Sequence, residues 1–213
     1  VKEALANGEA IVDTAVAGAN AVIDLLTEIK SKVVQANQTG LDATTRTVLN
    51  TDLVQLLNQL TTTVESAELS NVNLIKTQAS TLNILSSIDG SVISISAQIL
   101  DTTTLGINTV AVLSTSAAVN ALTAVTTAVT LAASKAAALG SSARGVEIQA
   151  DFSTSLVNVI QEGIGNMVDA DLAEESARLQ ALQIQQELSV QALNIANATP
   201  QLIVDLFNRV NGK

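Results

Sequence analysis

From Glu3 to Asn37 apolar residues recur at Ala6, Ile11, Ala15, Ala19, Val22, Leu25, Leu26, Ile29 and Val33, the i, i+3, i+4, i+7 rhythm of an amphipathic helix. Gly40, after Gln38-Thr39, reads as its stop. Asp42 then offers an N-cap carboxylate to a second helix, with Leu49, Leu53, Leu56, Leu57, Leu60 and Val64 as its buried face. So short a connection predicts an antiparallel helical hairpin.

Around Asn71 the period changes. Leu82, Ile84 and Ile88 on one side and Val92, Ile93 and Ile95 on the other flank Asp89-Gly90, the pattern of two strands joined by a tight turn with positive φ at both central residues. The predicted strands are Ser80–Ile88 and Ser91–Gln98. A Thr- and Ala-rich return regains helical spacing through Ala111–Leu113, Val119, Leu122, Val125, Val129 and Ala132. Ile148, Phe152, Leu156, Val159 and Ile160 continue the stripe, so a helix is expected from about Ala117 to Gln161, with room for a kink at Gly140 and Gly145. Gly163, Gly165 and Asp169-Ala170-Asp171 read as a second change of direction, after which Asp171 caps a last helix with Glu174 at the capping-box position. From Leu172 to Phe207 that helix carries a broad apolar face, which Pro200 should bend or break near its end. A helix that long cannot hide such a face by itself and must find a partner. The fold class is therefore mainly α: an elongated bundle of long helices with one β-hairpin near 80–98, followed by a long C-terminal helix.

Composition narrows the chemistry. Among 213 residues there is no His, Cys, Trp or Tyr, and there are two Phe, one Met and one Pro. The commonest general base, the strongest nucleophile and the usual zinc and haem ligands are thus missing, so neither an enzyme nor a cofactor or metal is expected. A net charge of −10 argues against nucleic acid, whose phosphates bind through Lys and Arg. The run from Thr102 to Ser134 has no charge at all, but its Thr, Ser and Asn residues interrupt any bilayer span, so no membrane insertion is expected. Asp169 and Asp171 are better explained as helix-start acids than as metal ligands, and Ser31-Lys32 and Ser134-Lys135 as solvated surface rather than a Ser–Lys dyad.

The string from Glu162 through Val168-Asp169-Ala170-Asp171-Leu172-Ala173-Glu174-Glu175-Ser176-Ala177-Arg178-Leu179 to Gln183 resembles the C-terminal region of bacterial flagellin, in its short alphaproteobacterial form. So does its continuation through Gln191-Ala192-Leu193-Asn194-Ile195-Ala196-Asn197 to Pro200-Gln201 and Leu206-Phe207. The likeness extends upstream through Ala43–Ala67, Val72-Asn73-Leu74-Ile75 and Gly145-Val146-Glu147-Ile148-Gln149, and Leu69-Ser70-Asn71 stands where the family usually has Phe-Asn-Gly. The family begins with a further helix, absent before Val1, and commonly ends in Leu-Leu-Arg, where this chain reads Val210-Asn211-Gly212-Lys213. The expectation is a fragment with an altered end.

The resemblance implies a core domain over 1–162, and a spoke with an inner-tube helix over 163–213. It implies a secreted, extracellular subunit that self-assembles into the flagellar filament for motility, with an export chaperone and a cap protein as partners. Alternatives are a hook–filament junction protein or a surface protein that binds polysaccharide. The polymerisation seam would be Leu172, Leu179, Leu182, Leu188, Leu193, Leu202 and Leu206. Flagellins detected by the vertebrate toll-like flagellin receptor present an Arg and a Leu on the first core helix. With Val34 and Gln35 as anchors, Glu28 stands here in place of the Arg and Lys32 in place of the Leu, which implies evasion of that receptor.

Overall fold

Three helices share one packing rule. A computed structural model describes residues 1–212, apart from the side chains of 197–202 and 211. It contains, among those residues, α1 (Lys2–Ala36), α2 (Ala43–Ser66), β1 (Leu82–Leu85), β2 (Val92–Ile95) and α3 (Thr115–Asn211). Along α1 the buried positions Leu5, Gly8, Val12, Ala15, Ala19, Val22, Leu26, Ile29, Val33 and Ala36 are alternately three and four residues apart. This is an unbroken a/d heptad, the repeat of a left-handed coiled coil. Arg46, Leu53, Leu60 and Ala67 keep a spacing of seven along α2 and its C-cap, and Ala118, Val125, Ala132, Leu139, Val146 and Ser153 do so along α3. Ala121 and Ala128 fill the intervening d positions of α3. With so many Ala on the seam, the helix backbones can approach closely. Ala6, placed by the sequence in the buried stripe, is exposed instead.

Polar ties fix the helix ends. Asp42 caps α2 by accepting the Thr45 N–H at 2.7 Å. The buried Arg46 guanidinium donates to the Ala36 carbonyl at 2.7 Å and to the Thr115 hydroxyl at 3.0 Å, joining the end of α1 to the start of α3. One turn on, the Asn50 side-chain oxygen accepts the Val112 N–H at 3.0 Å. Beyond α2 the buried Asn73 donates to the Val64 carbonyl at 2.7 Å and accepts the Ile75 and Lys76 N–H groups at 2.8 and 2.9 Å, so one side chain closes the helix and shapes the next turn.

The hairpin is antiparallel, pairing Leu82 with Ile95 and Leu85 with Val92, and it is shorter than the predicted Ser80–Ile88 and Ser91–Gln98. Ile84 and Ile95 point into the core, while Leu85 and Val92 lie exposed. Asp89-Gly90 does not form the expected two-residue turn. Gly90 has φ +85° and Asp89 does not have a positive φ; the Gly90 N–H reaches the Ser87 carbonyl at 3.3 Å, and the Ser86 N–H closes the loop on the Ser91 carbonyl at 2.8 Å. A longer loop built on a helical-type turn needs only its last residue in the left-handed region. The two-residue turn occurs earlier: Ser70 (φ 52°) and Asn71 (φ 64°) lie between Leu69 and Val72, which exchange both backbone hydrogen bonds at 3.0 and 2.9 Å.

The last part of the chain departs most from expectation. The predicted break at Gly163, Gly165 and Asp169–Asp171 is absent, and α3 is one helix in which Asp171 is an interior residue and no cap. Glycine costs a helix only ~1 kcal/mol relative to Ala, and the Ala-, Leu- and Gln-rich sequence after Asp171 favours helix enough to absorb two of them. Ala111–Leu113 precede α3, which starts at Thr115, two residues before the expected Ala117. Ile148, Phe152, Leu156, Val159 and Ile160, expected to be buried, are 46–65% exposed, because the seam follows the heptad to Val146 and Ser153 instead. Pro200 lies outside the described side chains.

The chain divides into two units, Val1–Ser155 and Leu156–Lys213. The first holds the core: the heptad seams, together with Leu74, Ile75, Ile84, Ile95, Leu100, Leu105, Ile107 and Val112 from the hairpin and the loops. In the second, every described side chain is exposed. Segments of α1 and α3 are long and apolar enough to cross a membrane by length and composition alone.

Candidate assembly surface

The second unit presents its apolar residues in an order set by helix geometry. At about 100° per residue, Ala177, Ala181, Ile184, Leu188, Ile195 and Leu206 fall on one side of α3. Val168, Leu172, Leu179, Leu182, Val190 and Leu193 fall about half a turn away. Asp171, Arg178 and Ser189 occupy one flank between these stripes, and Asp169, Gln180, Glu187 and Asn194 the other. What the sequence presents as one broad face is therefore two opposed apolar stripes, the second interrupted by Glu175 and Gln186, with Met167, Ile203 and Phe207 on the Asp171 flank between them. The larger side chains of both stripes are half or more exposed: Leu172 60%, Leu179 53%, Leu182 54%, Leu188 60%, Leu193 61% and Leu206 63%. Leu202, also placed on the seam by the sequence, lies outside the described side chains. A stripe on one side needs one partner; stripes on two opposite sides need two.

The α1 segment singled out by the sequence lies on the outer side of the core. Glu28, Val34 and Gln35 are exposed, flanking the buried Ile29 and Val33. Lys32 donates to the Asp52 carboxylate of α2 at 2.8 Å. That hydrogen bond, then the charge of Asp52, raises the Lys32 pKa above its ordinary value. The ammonium is thus committed to holding α1 against α2, a pairing that twenty residues of separation hid from the sequence.

A heptad-packed core and a long helix with apolar residues exposed on two sides are the architecture of a mainly helical structural protein. Residues 122–207 match the family model of the bacterial flagellin C-terminal helical region. Flagellin FljO of Caulobacter vibrioides is 36% identical over 208 residues, covering 97% of this chain and 76% of the relative. Flagellin C of Rhizobium meliloti is 32% identical over 260 residues (97% and 80%), and the flagellin of Brucella melitensis 34% over 220 (97% and 77%). The chain belongs to the flagellin family. The crystal structure of Bacillus cereus flagellin superposes with a TM-score of 0.64 at 19% identity, covering 71% of this chain and 88% of that one, so the mainly helical architecture is shared as well.

Proposed function

We propose that this chain, a structural subunit of the flagellar filament by family, assembles through the two opposed stripes of α3, with residues 1–162 as the core and 163–213 as the assembling part. The observation that carries this reading is the exposure of apolar stripes on opposite sides of one helix. Apolar area is worth roughly 25 cal/mol per Å² when removed from water, so several exposed leucines per stripe are a substantial driving force for contact with further helices. The protein works by contact, not catalysis, outside the cell, and an export chaperone and a cap protein are the partners its family implies. Removing Leu182 to Phe207 is expected to leave a folded monomer with an unchanged melting transition and no filaments by negative-stain microscopy. Filaments from the shortened chain would overturn the seam.

The same family reading extends to Glu28 and Lys32. An acid in place of an Arg reverses a charge at the receptor-facing segment, and a Lys tied to Asp52 replaces an apolar contact. Little or no activation of the vertebrate flagellin receptor is expected in a reporter-cell assay; a response at nanomolar protein refutes it.

A further inference from the structure

We propose that the Asp89–Gly90 peptide at the tip of the β-hairpin is a site of spontaneous aspartate isomerisation, which converts it to an isoaspartyl linkage. The deprotonated Gly90 nitrogen attacks the Asp89 Cγ, the Cγ–OH bond breaks, and water leaves a five-membered succinimide. Water then adds across either imide C–N bond. Opening at Cγ restores Asp89; opening at the former backbone carbonyl carbon routes the chain through Cβ and Cγ and frees the α-carboxylate. One water leaves and one returns, so mass is unchanged and no further reactant is needed.

Local structure supplies what the reaction requires. Asp89 and Gly90 are both exposed, in a loop beyond the last ladder pair, Leu85 and Val92. A Cβ at Gly90 would meet nothing within 4 Å, so the side of the loop on which it would stand is open. The Gly90 N–H is held by a long 3.3 Å bond to the Ser87 carbonyl, and the Asp89 carboxylate is 3.4 Å from the Ser87 hydroxyl. Both restraints are at the weak end of hydrogen bonding.

Asn7–Gly8, in the same unit, is an internal control, because an Asn–Gly pair closes the same ring with loss of ammonia. It lies within α1, where the helical ladder holds the Gly8 nitrogen, and a Cβ at Gly8 would clash with the Ile84 side chain. Backbone rotation there would break the seam, so the pair is locked. At the tip, by contrast, the product lengthens the loop by one backbone atom and strains the closing Ser86–Ser91 bond beside the β1–β2 register.

The test is ageing of the purified chain at neutral pH, followed by peptide mapping with electron-transfer fragmentation and by methyl labelling with an isoaspartyl methyltransferase. Isoaspartate is expected to accumulate at Asp89 without mass change, to be lost in Asp89→Glu and to slow markedly in Gly90→Ala. Asn7 is expected to stay intact in the native chain and to deamidate once the chain is unfolded. No isoaspartate at Asp89 under conditions that convert a free peptide spanning 85–92 would overturn the proposal. Equal conversion at Asn7 in the folded protein, or labelling of the tip that persists in Asp89→Glu, would also overturn it.

Discussion

At Ser70 and Asn71 two non-glycine residues in succession hold positive φ, at 52° and 64°. The left-handed region costs an L-residue with a Cβ roughly 1–2 kcal/mol, less for Asn, whose short side chain bonds locally. What holds them there is the closed pair of hydrogen bonds between Leu69 and Val72, with the Ser70 hydroxyl donating to the Asn7 side-chain oxygen at 3.2 Å. Asn71→Gly removes the strain at the second position and touches no buried group, since Asn71 is exposed. A gain of about 0.5–1 kcal/mol is expected in urea unfolding, read as a higher midpoint at unchanged slope. A loss of stability would mean that the Asn71 side chain contributes more than its backbone costs.

Along the elements, small residues set the spacing. Ala132 is fully buried on the α3 seam, and Ala133 beside it is exposed. Ala132→Leu inserts three carbons into a close-packed layer and should cost about 1–3 kcal/mol, whereas Ala133→Leu should stay within about 0.5 kcal/mol. Thermal melts of the two variants compare the heptad seam with its neighbour directly, and equal effects would place the seam elsewhere. The same seam explains what the sequence could and could not tell. Apolar periodicity placed α1 and α2 nearly to the residue, because Asp42 and Gly40 are local signals and the a/d repeat is close to a 3.6-residue stripe over a few turns. The two patterns drift apart by roughly 20° per heptad, so over the length of α3 the apolar stripe through Ile148 and Phe152 left the buried face, which passes through Val146 and Ser153. The carbonyl partners of Arg46 and Asn73, Ala36 and Val64, could not be read at all, since only the fold brings them near. On the assembly surface the leucines were legible one by one. Their division into opposed stripes was not, because it requires α3 to be continuous where glycines and acids suggested a break.

For the whole molecule, a net charge of −10 opposes the contact that the apolar stripes favour. Added salt shortens the Debye length from ~10 Å at 0.1 M to ~3 Å at 1 M and weakens repulsion between copies; sulfate also strengthens apolar burial by exclusion from the surface. Self-association followed by light scattering should therefore rise with ionic strength, and rise more with sulfate than with chloride at matched ionic strength. Leu179 and Leu188, on opposite sides of α3, then separate the contributions of the two stripes. Both are exposed, so replacing either by Glu leaves the core of the first unit untouched and its melting transition unchanged. If both stripes are covered in the filament, Leu179→Glu and Leu188→Glu each suppress assembly at salt concentrations where the unaltered chain polymerises, because each buries an unpaired carboxylate. Assembly that tolerates one of the two substitutions as well as the original leucine would mean that α3 uses a single face, and that the opposite stripe stays in solvent.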